Sequence, residues 1–222
     1  MFHPLERPME RGWVGRIDDD RVTHLAAQTL EAYFTGGGTA REHAVYPLAA
    51  VRLLAPVLHP PAIRVFDDQA TFWFANPAAV EGPGARITSD ERSLALLPRL
   101  AAVLGGAGRI GGFTLLAEWR RPHAAPPKDR DFAFGLGPVV VTPEVLGAEP
   151  TAAVRIDGDE RAPVNMPAFD WNDARELAAS GTALRPGDLL AGPAWVLVDP
   201  VPPTSDVELE VDAVGTLRQD VR

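Results

Sequence analysis

From residue 71 onward, glycine and proline cut this chain into short β-forming runs, and that punctuation limits the fold more than any other feature. TFWFANP, RLAAVLG, GFTLLAEW, GPVVVTP, AAVRIDG, DLLAGPAWVLV and DVELEVDAVGTL hold β-branched or aromatic residues edged by Gly, Pro or Asp. Only Trp171 to Ser180 has a convincing helical pattern, with Gly181 as its stop. Upstream, GWVGRIDDDRVTHL sets two alternating runs around Asp18-Asp19-Asp20, which predicts a hairpin. A helix is expected over about Leu25–Phe34, stopped by Gly36-Gly37-Gly38, and another from near Thr39 to before Pro47. Pro56, Pro60 and Pro61 mark a linker near residue 58. Many strands and few helices, segregated along the chain, predict an α+β protein. We expect a small N-terminal β-containing unit over 1–57 and a mixed, barrel-like sheet domain over 58–222.

Composition narrows the functions open to such a fold. With 46% apolar residues among 222, a packed core is well supplied. A net charge of −9 argues against a nucleic-acid partner, which would need a basic face. The absence of cysteine excludes disulfides, thiol nucleophiles, zinc fingers and iron–sulfur clusters. No apolar run reaches the roughly 18 residues that span a bilayer, and MFHPLERPMERGW lacks the apolar core of a signal peptide. A soluble cytoplasmic protein without a membrane partner is expected.

Gly106, Gly108 and Gly111 have the G-x-G-x-x-G spacing of a dinucleotide cradle. That motif needs a helix after its glycines, whereas Gly111-Gly112-Phe113-Thr114 starts one poorly and Pro122 would break it within about three turns. An acid about 20 residues on would fall in APPKDRDF, a Pro-rich loop. A glycine-rich turn between two strands is the better reading.

Segments along nearly the whole chain are similar to those of one enzyme family. GRIDDDRVTHLAA, YPLAAVRLLAPVLHPPAIRVF, FWFANPAAVEGPGARI, the strand pair RLAAVLG and GGFTLLAEW, RDFAFGLGPVVVTPEVLG, TALRPGDLLAG and DVELEVDAVGTLRQDV follow its order and spacing. In these respects the chain resembles the fumarylacetoacetate hydrolase family. The resemblance implies a divalent Mg²⁺ or Mn²⁺ held by three carboxylates, which polarises an oxo-acid or β-dicarbonyl substrate. Two of those ligands form an E-x-E, and here their positions fall on Leu97 and Arg99; the third falls on Glu118. The family's lid segment, with its His and Glu, is missing after IRVF, where only Asp67-Asp68-Gln69 precedes the next strand run. The family lysine falls on Arg130, with Lys128 two residues away, and the Gly-Thr loop reads AGPAW. The metal site is therefore expected to be lost, and no cofactor is expected.

The resemblance implies that Arg99 and Glu118 lie on adjacent strands, facing each other, with the guanidinium in the vacated metal position. Such a pair either supplies fixed positive charge to a carboxylate or enolate, or fills an old cavity without doing chemistry. Glu118, Arg99, His123, Lys128 and Arg130 are the candidate catalytic residues; Arg120, Arg121, Trp119 and Phe134 are the candidate substrate-binding ones. His123 is a candidate general base or an idle loop histidine. Asp67, Asp68 and Glu81 are either acidic turn residues or a second cation site at the pocket mouth. The expected function is a repurposed, metal-independent hydrolase, lyase or isomerase for a small anionic oxo-acid, enol or polyketide-like compound of secondary metabolism. The alternative is a pseudoenzyme that keeps the fold for ligand binding or for pairing with another protein. A homodimer is expected in either case.

Overall fold

The computed structural model describes residues 1–222 except 90–92, 162–163 and 165. The N-terminal part carries β1 (Phe2–Pro4), β2 (Gly15–Asp18), β3 (Arg21–Leu25), α1 (Leu30–Thr35), β4 (Glu42–Pro47) and β5 (Val51–Leu53). β2 and β3 form the expected hairpin, turning at Asp19 with φ +53°. The helix predicted over 25–34 is shorter: residues 21–25 pair as strand, and Thr29 caps α1 by accepting from the Ala32 amide. The helix predicted after Thr39 is instead β4. Its Val45 and Tyr46 lie opposite Thr23 and Val22, and that pairing outweighs the helix-forming Ala and Glu nearby.

The larger part begins with β6 (Ile63–Phe66), β7 (Phe72–Ala75), β8 (Val80–Glu81) and β9 (Arg86–Ile87). Then come the long antiparallel pair β10 (Leu94–Leu104) and β11 (Ile110–Arg120), β12 (Phe134–Val141), and α2 (Pro143–Leu146). β13 (Ala152–Ile156), β14 (Asp159–Glu160), α3 (Trp171–Ala179), β15 (Leu189–Ala191), β16 (Val198–Val201), β17 (Asp206–Val211) and β18 (Gly215–Val221) complete it. One sheet of eight strands runs β7-β6-β15-β10-β11-β12-β8, with β16 also paired to β10; a five-stranded sheet runs β14-β13-β17-β18-β9. The expected boundary at 57/58 lies between β5 and β6, although Ala55 and Val57 are buried in the core of the larger part. Among the described residues, no helix is long and apolar enough to cross a membrane.

Strand alternation sorts the central pair onto two cores. Leu96, Leu100, Leu104, Leu115, Ala117 and Trp119 join the core that also takes Val154, Val207, Leu209 and Leu217 from the five-stranded sheet. Ala101, Val103 and Leu116 face the other way, into a core with Ile63, Val65, Phe134, Leu136 and Leu189. The glycine motif is the turn between these strands: Gly106–Gly108 is one 3₁₀ turn, with Ala107 and Gly108 at positive φ. Gly112 is a close approach, because a Cβ there would sit 2.4 Å from the Val141 carbonyl oxygen. A buried ion pair, Arg64–Asp188 at 3.0 Å, ties β6 to the residue before its parallel neighbour β15.

Candidate functional site

Arg99 and Glu118 project from the same face of the β10–β11 pair as Ala101 and Leu116. Glu118 stands opposite Leu97, so Arg99 reaches it diagonally. Both side chains have zero exposure. The Arg99 nitrogens make five contacts of 2.7–2.9 Å: Nε and Nη2 to Glu118 Oε2, Nη2 to Asp67 Oδ1, and Nη1 to the carbonyls of Phe66 and Gly192. The other Glu118 oxygen, Oε1, accepts from Arg120 Nε. A guanidinium has five N–H groups, so this one is saturated without any ligand. A buried charge needs such partners, since leaving it bare would cost several kcal/mol.

This donor set does not fit a divalent cation. The resemblance puts Leu97 and Arg99 on two of the three ligand positions, and both oxygens of the remaining carboxylate, Glu118, already receive guanidinium protons. A cation would have to displace a charged group that shares its own sign. Among the described residues, no three His, Asp or Glu side chains come together as a metal cluster.

Around this sealed pair lies a partly open rim. The Asp67 side chain is 54% exposed and held through one oxygen by Arg99; the Arg120 side chain is 24% exposed. Arg130 pairs with Asp129 at 2.8 Å and stacks over Trp73 at 5.1 Å. Its pKa is raised by the Asp129 hydrogen bond first, with smaller contributions from the charges of Glu118 and Asp67, which places all three carboxylates in its field. Phe134 stands opposite Glu118 and is fully buried, and Trp73 packs near it at 6.4 Å. The Trp73 indole nitrogen is buried without a hydrogen-bond partner among the described residues.

Other predicted residues lie elsewhere. Trp119 points from the opposite face of β11, fully buried, and donates to Gln219 Oε1 at 2.8 Å. Arg121 stacks on Phe132 at 4.2 Å. His123 is an exposed loop residue, and Lys128 is an exposed partner of Asp131 at 2.7 Å. Asp68 shapes a turn, accepting from the Ala70 and Thr71 amides and the Thr71 hydroxyl; these bonds, Ala70's foremost, hold its pKa below the usual value. The grip of Asp67, Phe66 O and Gly192 O on Arg99 was not foreseen. The visible signal was Arg99 itself, a cation in the middle of an apolar strand, which demands buried acceptors from somewhere.

No protein-family model matches the chain, and no curated protein matches it. Solved structures do. Maleylpyruvate hydrolase from Sphingobium sp. SYK-6 superposes with a TM-score of 0.76 at 20% identity, covering 96% of each chain. A 5-carboxymethyl-2-hydroxymuconate delta-isomerase from Mycobacterium smegmatis gives 0.75 at 18% identity, over 99% of this chain and 97% of that one. A 2-keto-3-deoxy-D-arabinonate dehydratase complexed with magnesium and 2,5-dioxopentanoate gives 0.78 at 16% identity, over 94% of each. Identities this low carry no activity across, but the architecture is common to all of them: this chain has the fold of fumarylacetoacetate hydrolase-type enzymes.

Proposed function

We propose that the chain is a metal-independent enzyme of the isomerase, lyase or hydrolase type, acting on a small anionic oxo-acid or enol at the rim above Glu118. The observation that carries this reading is a division within the network. Arg99 and Glu118 are sealed, whereas Asp67 on Arg99 keeps a half-exposed carboxylate within the field of Arg130, and Arg120 on Glu118 is part-exposed. Arg99 and Glu118 are then positioning residues: one aims Asp67, the other aims Arg120. Asp67 is the general base, taking a proton from the carbon next to a carbonyl. The electrons of that C–H bond move onto the carbonyl oxygen, and the Arg120 and Arg130 guanidiniums offset the resulting enolate charge. Return of the proton to another carbon completes an isomerisation. The unpartnered Trp73 indole N–H lies beside the Arg130 guanidinium, where a ligand acceptor would satisfy it.

The closure of Arg99 and Glu118 favours a second reading, a pseudoenzyme that binds the same anions at Arg120 and Arg130 without turning them over. One experiment separates the two. Enol-to-keto conversion of phenylpyruvate and oxaloacetate is followed in EDTA, beside calorimetric titration with oxalate, an enolate mimic. The enzyme reading expects a rate above buffer that EDTA leaves unchanged and that Asp67→Asn lowers by about 100-fold. Oxalate binding without turnover selects the pseudoenzyme, and neither binding nor turnover sinks both. The homodimer implied by the resemblance belongs to the same proposal and is read by light scattering.

A further inference from the structure

A large unassigned space lies on the other face of β10 from Arg99. It is a cavity of ≈ 810 Å³ walled by Phe113, Phe169, Trp171 and Trp195, with Glu149 and Glu160 also lining it. Leu100 lines it too, one residue along the strand from Arg99 and on the opposite face. The aromatic rings hold one another edge to face: Phe113–Trp171 at 5.0 Å and 66°, Phe169–Trp171 at 4.8 Å and 84°. Such contacts fix ring orientation while leaving π-faces available. The wall at Gly192 is pinned from behind, since its carbonyl accepts from Arg99.

The charge of this cavity is one-sided. Among the described residues lining it there is no Lys, Arg or His, and both ionisable groups are carboxylates. Glu149 makes no ion pair among the described residues, and the nearest cation to Glu160 is Arg155 at a loose 3.9 Å. The protein around it carries a net −9. An anion is repelled here, while aromatic faces and acidic rim groups both attract a cation with apolar bulk. The volume suits one small molecule.

We propose that this cavity binds a flat, apolar molecule bearing a positive charge, such as an aryl ammonium compound. The inference does not rest on the oxo-acid reading, whose residues lie on the opposite face.

The test is calorimetric titration of the full chain with benzyltrimethylammonium, neutral 3-phenylpropionamide and anionic 3-phenylpropionate. The cation should bind about tenfold tighter than the amide, and the carboxylate should not saturate. Replacing both acids (Glu149→Gln with Glu160→Gln) should bring cation and amide within about twofold of each other. Ala168→Trp, at an exposed lining position, should block all binding with the melting temperature unchanged. The proposal is overturned if the carboxylate binds as well as the cation, if no probe saturates, if Ala168→Trp leaves affinity intact, or if a second copy covers the cavity and excludes the probes.

Discussion

Glu118→Gln is the most informative single change in this protein, because it removes a charge while keeping a shape. Among the described residues, Glu118 is the only fully buried counter-ion of Arg99, and it also neutralises Arg120. In the variant, Arg99 keeps its carbonyl acceptors, but its charge is left with only the half-exposed Asp67. One amide N–H must also point at a guanidinium N–H. Breaking a buried pair this way costs about 3–5 kcal/mol. For a chain of this size, each kcal/mol moves the melting temperature by about 2–4 °C, so the expected fall is about 6–20 °C. Calorimetry or thermal circular dichroism reads it directly. Arg16→Gln is the internal control: Arg16 also makes a 2.7 Å carboxylate contact, to Glu42, yet both side chains are half-exposed. Surface pairs of that kind contribute little and are screened by salt, so the control should melt with the parent. The Glu118→Gln deficit should survive in about 1 M salt, where the screening length is about 3 Å. A fall of under about 2 °C, or one abolished by salt, would refute the claim that a desolvated charge is held there.

Three further outcomes follow from the geometry. Gly112→Ala would drive a Cβ to 2.4 Å from the Val141 carbonyl oxygen; a loss of about 1–3 kcal/mol is expected by chemical denaturation, and a neutral result would show that β11 and β12 can part there. His24 has a lowered pKa, chiefly from burial and then from the charge of His43. Its contribution to stability is therefore complete above the unfolded value near 6.5 and declines as pH falls through the folded value. Melting curves from pH 8 to 5 should show that decline in the parent and less of it in His24→Gln. Finally, dialysis against EDTA should leave the melting temperature unchanged, and Mn²⁺ titration should show no stoichiometric binding; one tight equivalent would overturn the reading of Arg99.

Much of the fold was legible because strands of period two and Gly or Pro stops leave marks in residue type. β2, β3, β10, β11, β12, β13, β17 and α3 lie where the sequence places them. β4 was misjudged because EHAVYP carries residues at home in either state, and only its pairing with β3 decides. The Arg99–Glu118 pair was legible through the resemblance, which sets the two residues on adjacent strands. Its remaining acceptors were not. Phe66 O and Gly192 O come from 33 and 93 residues away and are backbone atoms, to which residue type is blind. Trp119 was grouped with Glu118 despite a rule that separates them: neighbours on a strand point to opposite faces.

A guanidinium where the resemblance puts a metal ligand is a different kind of charge from an ion. An ion is borrowed from its surroundings: it has an off-rate, competes with other ions in the Irving–Williams order, and leaves when a chelator takes it. The Arg99 guanidinium is covalently part of β10, and a guanidinium's charge is fixed. It has no dissociation constant, cannot be replaced by the wrong element, and arrives in place whenever the chain folds. What it gives up is vacancy: five bonds hold it, and none is free to be traded for a substrate oxygen.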